Sequence, residues 1–349
     1  MNSWKESSCF PQAFCTNLHE DFNQPRLATS QAFNGNPYEY DFTVDYNPQS
    51  VKVEDSILKI DMRLDSVPNS FGRPQGLGSA VSTTRFMQYG RVQARIKMGS
   101  SSPGVVSAFI VRNEDPGDEI DFEIVGRNAS EAQTNFYFRT PPSMPPDQVD
   151  YSNTGRSALD TNTAQDFHNY EIEWMPDYIL WKVDDRVIRS VFKNETKDVV
   201  GVPGAKQFPQ SPARIQFGIW DGGQGSNGTA AWAGTPTDWS KHDQTYQLQV
   251  DYVDIQCYYS GNSTLTSWPP AGYGPTKIHS GPYNTPGLNG GYNDQDDNSG
   301  GGASVRPFVP FYKNMRLMIP TGCFGGLALI VIATIEVVRR RRLARVRWE

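Results

Sequence analysis

At 349 residues the chain has length for two average domains, or for one large all-β sandwich with appendages. Its 12% aromatic content, 31 glycines and 25 prolines favour strands joined by turns over long helices. The formal net charge of −6 understates the acidity of most of the chain, because residues 339–349 alone hold six arginines and one glutamate. With no other basic cluster to meet phosphates, the composition excludes a nucleic-acid surface and suits a neutral ligand such as a glycan.

The opening stretch, MNSWKESSCFPQAF, has no basic start followed by an apolar run and does not read as a secretory leader. Residues 1–25 form a segment ahead of a folded domain expected over 26–265. Of four cysteines, Cys9 and Cys15 are close enough to close a small loop in an oxidising compartment. Cys257 falls in an expected strand, where it reads as a small buried hydrophobe, and Cys323 lies in a C-terminal apolar segment.

Leu58, Ile60, Met62 and Leu64 alternate with polar residues, as do Val92, Ala94, Ile96 and Met98, the period of strands that cover a core on one side. The next segment carries the chemistry. On a strand, Glu119, Asp121 and Glu123 share one face while Ile120, Phe122 and Ile124 share the other. Carboxylates in a row at steps of about 6.7 Å repel one another, which an ordinary solvent face has no reason to accept. A retaining glycosidase has a use for them, since it needs one ionised carboxylate and one protonated acid roughly 5.5 Å apart. Asp121, in the middle, can hold a hydrogen bond or a proton and keep the outer pair apart in proton affinity. A charged solvent face or a calcium site is the alternative reading of the acids alone.

Further along, Tyr170, Ile172 and Trp174 lead through Pro176-Asp177 into Ile179, Trp181 and Val183, then Asp184-Asp185 and a third strand, which reads as two consecutive hairpins. Trp174 and Trp181 are in phase with the apolar faces and are expected in the core. Trp220 and Trp232, flanked by glycines, read as rings open to a ligand. His168 and His242 lack a second histidine at metal-ligand spacing and read as hydrogen-bonded surface residues; no catalytic metal and no cofactor are expected. Leu248 and Val250 are out of phase with Val253, Ile255 and Cys257, which predicts a β-bulge around Asp251-Tyr252.

Residues 266–314 turn to Gly, Asn, Asp, Pro and Ser, a composition that reads as a flexible linker. A transmembrane helix is expected over 315–338, followed at once by the arginines of a basic tail, 339–349, which the positive-inside tendency places in the cytosol. The basic extension argues for a retained helix rather than a cleaved glycolipid-anchor signal. The domain before it is then extracellular, and sequons at Asn128, Asn194, Asn227 and Asn262 agree with that route.

The run Asp118-Glu119-Ile120-Asp121-Phe122-Glu123 resembles the signature of glycoside hydrolase family 16. The segments Phe208-Pro209-Gln210-Ser211-Pro212, Phe217-Gly218-Ile219-Trp220-Asp221-Gly222-Gly223 and Ala231-Trp232-Ala233-Gly234 are similar to its fungal Crh branch, cell-wall transglycosylases that link chitin to β-1,3- or β-1,6-glucan. The resemblance implies a jelly-roll β-sandwich of the concanavalin A-like lectin and glucanase type. It implies Glu119 as nucleophile, Asp121 as supporting acid and Glu123 as general acid/base. It further implies that Gln133 and Asn135 bind sugar hydroxyls, and that Trp220 and Trp232 stack on pyranose rings. The expected partners are a polysaccharide donor and acceptor, chitin and β-glucan. Asp221 departs from the branch, which usually has Ala there, and the C-terminal helix departs from its usual glycolipid anchor. A β-glucan endohydrolase, a glycan-binding lectin with vestigial acids and a wall-anchored structural protein are the alternatives.

Overall fold

The computed structural model describes residues 13–69, 72–113, 118–138, 153–199, 203–234, 236–240 and 244–258. The linker, the expected transmembrane helix and the basic tail lie outside them, as do Cys9, Cys323, His242 and Asn262. Among the described residues no helix is long and apolar enough to cross a membrane.

The described strands form two large sheets. One runs, edge to edge, Gly155–Ala158, Glu131–Tyr137, Glu119–Val125, Val105–Arg112, Arg214–Asp221, Ser79–Thr83, Phe42–Tyr46 and Leu27–Thr29. The other runs Arg186–Phe192, Tyr178–Val183, His168–Trp174, Gly90–Lys97, Thr245–Cys257, Ile57–Leu64 and Val51–Glu54, with two short strands attached beside it. Pairing is antiparallel in both, apart from Leu27–Thr29 alongside Phe42–Tyr46. This is an all-β sandwich, and its core is the pair of inner faces that the alternating strands leave apolar.

The acidic strand is fixed through its apolar side. Ile120, Phe122 and Ile124 are buried. Phe122 meets Tyr170 of the opposite sheet edge to face, with ring centroids 5.5 Å apart, while Phe109 stacks on Phe217 at 5.2 Å. Trp174 and Trp181 are fully buried, as expected, and each indole N–H has a partner: Pro209 O at 3.2 Å and Asp121 O at 2.9 Å. The second bond reaches across the core to the backbone of the middle acid, so a ring chosen for packing also fixes the register of the acidic strand.

The two hairpins form as expected. Asp184 and Asp185 both take positive φ, 47° and 63°, as a tight turn matched to the strand twist requires. The bulge is also present: Arg95 pairs with Tyr252 and Ile96 with Val250, so Asp251 is the extra residue. Leu58, Ile60 and Met62 are buried, but Leu64, at the strand's end, is 37% exposed and not part of the inward series.

The cysteine reading is corrected. Cys15 bonds Cys257, 242 residues away, rather than Cys9, so Cys257 is a disulfide partner and not a free buried thiol. The cause is the path of the leading segment. Leu18–Glu20 pairs with Thr245–Cys257, and Phe22 is buried in the core, which brings Cys15 against the end of that strand. The sandwich therefore starts well before residue 26.

Candidate active site

Asp118 fixes the start of the acidic strand. It is buried, and its Oδ2 accepts from the backbone N–H groups of Gln210 and Ser211, both at 2.9 Å. From there the register places Glu119 between Arg112 and Tyr137, Asp121 between Ile110 and Asn135, and Glu123 between Ala108 and Gln133. Directly paired residues of neighbouring strands project to the same face. The three acids, Gln133 and Asn135 therefore line one outer face of the eight-stranded sheet, as the sequence predicts.

The acids differ in surroundings. Asp121 is only 3% exposed; burial, then the charges of Glu119 and Glu123, push its proton affinity well above the usual carboxylate range. One of its oxygens, Oδ1, is buried with no hydrogen-bond partner among the described residues. Glu123 is pushed up to about 7 by burial and by the charge of Glu119, with the Trp220 side chain pulling the other way. Glu119 faces a cation instead: Arg112 Nε lies 3.2 Å from its Oε2. The row thus holds a carboxylate paired with an arginine, a buried middle acid pushed toward its protonated form and an outer acid raised to about 7.

Trp220 and Trp232 come together at the Glu123 end, but on one another, with centroids 5.8 Å apart and planes within 20°. They rest on a small apolar cluster of Val106, Val125 and Ala233. Trp232 sits on the short helix Asn227–Ala233, capped by Ser226 and ended by Gly234 at a φ of 94°. Its indole donates to Gln133 Oε1 at 2.7 Å, so the amide expected to meet sugar is also braced by a ring expected to stack on sugar. Both indoles keep part of their surface in solvent.

Asp221 points away from Trp220 and acts as an anchor. It accepts from Gly76 N at 2.7 Å, Gly223 N at 3.1 Å, Trp239 Nε1 at 3.2 Å and the Thr237 hydroxyl. Four donors from three segments explain why a carboxylate replaces a small residue here.

Residues not singled out from the sequence extend the same face beyond the acids. Asp45 accepts from Gln216 Nε2 at 2.8 Å, Arg214 Nη2 at 3.2 Å and the Ser82 hydroxyl, and Tyr46 beside it is 48% exposed. Arg112 was missed as well. They come from four strands far apart in sequence, so only the sheet order brings them together; Arg112 alone had a local signal, seven residues before Glu119 across one hairpin. Among the described residues no group of three or more His, Cys, Asp or Glu is placed to hold a metal ion. His168 bonds Asp184 at 2.7 Å.

This is a β-sandwich that carries a row of acids, two amides and two indoles on one outer face. The pattern of glycosyl hydrolases family 16 matches residues 38–254, and the chain belongs to that family. It is 33% identical over 264 residues to Congo red hypersensitive protein 2 of Saccharomyces cerevisiae, covering 73% of this chain and 52% of that protein. It is also 33% identical over 267 residues to Crh-like protein 2 of Aspergillus fumigatus, with 73% and 54% covered. The chain spans about half the length of these relatives. Among solved structures, a Crh5 transglycosylase in complex with NAG shares the fold, with a TM-score of 0.55 and 22% identity over 73% of this chain and 89% of that one.

Proposed function

We propose that the protein is a retaining glycosidase and transglycosylase of the cell wall, acting on chitin and β-glucan through a covalent glycosyl-enzyme. Glu119, ionised beside Arg112, attacks the anomeric carbon while Glu123 gives its proton to the departing glycosidic oxygen. Glu123, now ionised, takes the proton of the incoming acceptor as the ester to Glu119 breaks. Water as acceptor gives hydrolysis; a sugar hydroxyl held in the groove gives transfer, favoured by its effective concentration. Asp121, protonated between the two, keeps their roles apart. Gln133 and Asn135 bond sugar hydroxyls, and the solvent-facing part of the Trp220–Trp232 pair packs on a pyranose ring. The observation that carries the reading is the geometry of the row: three carboxyls on one strand face beside Gln133 and Asn135, with Glu119 3.2 Å from Arg112 at one end. The choice of polymer rests on the resemblance of the segments around Phe208, Trp220 and Trp232 to the Crh branch.

The same proposal places the domain outside the cell, held by a helix over 315–338 after the linker 266–314, with the basic tail in the cytosol. The Cys15–Cys257 disulfide and the exposed sequons at Asn128, Asn194 and Asn227 support an oxidising, glycosylating route.

Incubation of the protein with labelled chito- and gluco-oligosaccharides tests the function. Products longer than the donor are expected. Only shorter products would make it an endohydrolase, and unchanged sugar with measurable affinity would make it a lectin.

A further inference from the structure

Arg112 has no part in the proton transfers, yet it is the cation closest to the reacting row. It ends the strand Val105–Arg112, directly opposite Glu119 in register, and its Nε is buried while the side chain as a whole is 41% exposed. The neighbouring cation on the other side, Arg214, is already committed: it donates to Thr83 O, Thr43 Oγ1 and Asp45 Oδ1. Arg112 Nε has no hydrogen bond of its own among the described residues; its relation to Glu119 is one of charge and proximity.

The charge on Glu119 is present before attack, is lost in the ester and returns on release. A fixed cation at 3.2 Å stabilises that carboxylate whenever it is ionised. Its help is therefore unequal. It opposes attack, which consumes the charge it stabilises, whereas relative to the neutral ester it stabilises the charge that release restores.

We propose that Arg112 is a positioning residue that makes Glu119 a good leaving group, so that it governs the second half of the reaction, release of the glycosyl group to the acceptor. In that step the C1–O bond of the ester breaks with its electron pair returning to Glu119. The acceptor oxygen forms the new bond to C1, and its proton passes to Glu123. This rests on the proposed double displacement and on Glu119 as its nucleophile.

The test is pre-steady-state kinetics of the full chain with 4-methylumbelliferyl β-chitotrioside, whose leaving group needs little protonation. In Arg112→Met the burst of methylumbelliferone is no slower than in wild type while steady-state release falls about tenfold. Mass spectrometry of the quenched variant then finds the glycosyl group on the peptide that contains Glu119, and Arg112→Lys recovers most of the steady-state rate. Equal losses in burst and steady state, no trapped ester, or a Lys variant as slow as Met would each overturn the proposal. Glu123→Gln, which lacks the base for release, reports on the nucleophile independently. An ester there without one in Arg112→Met removes the role of Arg112 alone, and no ester in either removes the double displacement with it.

Discussion

Two strands of this sandwich carry acids at alternating positions, and they end in opposite states. On His168–Trp174, Glu171 and Glu173 are both 2% exposed on the outer face of the nine-stranded sheet. Lys182 Nζ sits between them, 2.7 Å from Glu171 and 2.6 Å from Glu173; Tyr178 donates to Glu173 and Gln93 to Glu171. Burial alone would pull Lys182 down, but the two carboxylates outweigh it and hold the ammonium above its usual range. On Glu119–Val125, three acids share one cation at one end, and the middle and far carboxyls are pushed toward their protonated forms. Alternation of acids therefore says little by itself. The partners across the neighbouring strands decide whether the charge is neutralised for stability or left available for chemistry.

The largest break in that comparison is Glu119→Gln, expected to lower turnover of oligosaccharide by more than about 10^4-fold while binding persists in calorimetry, since the fold does not need that charge. Lys182→Met should do the reverse. Leaving two buried carboxylates without their ammonium should cost about 3–5 kcal/mol in denaturant unfolding, with kcat per folded molecule unchanged.

A pH series sharpens the contrast. Glu123 must carry a proton for the first half-reaction and titrates at about 7, so kcat/KM should fall as pH rises through about 7. Donors whose leaving group needs no proton should escape that loss.

The smallest effect is on stability. Because the folded value for Glu123 is raised above the ordinary glutamate value of 4.5, the stability it contributes is full below that value and is lost as pH rises through about 7. Glu123→Gln should therefore gain a few degrees in Tm over wild type at pH 8, and the gain should vanish toward pH 4.

Much of this was legible in the sequence because alternation is a local property. The phase of Glu119, Asp121 and Glu123, the buried Trp174 and Trp181, the paired hairpins and the bulge at Asp251 follow from two-residue periodicity and turn chemistry. What escaped depends on the order of strands in space. Cys15 meets Cys257 only because the leading segment pairs with the last described strand. Arg112 meets Glu119 only once the hairpin register is set, and Asp45, Ser82, Arg214 and Gln216 converge from three strands far apart in sequence. Trp220 and Trp232 read from the sequence as rings open to a ligand. Glycine flanks announced exposure but not that the rings would share one small apolar bed.

The account depends on a covalent ester that forms and breaks on the same side of the sugar ring. Proton NMR of the sugar released to water from the ester in the second step, recorded before it mutarotates, reads the outcome of both steps at once. The β-anomer is predicted, and an initial α-anomer would contradict the double displacement and with it the roles of all three acids.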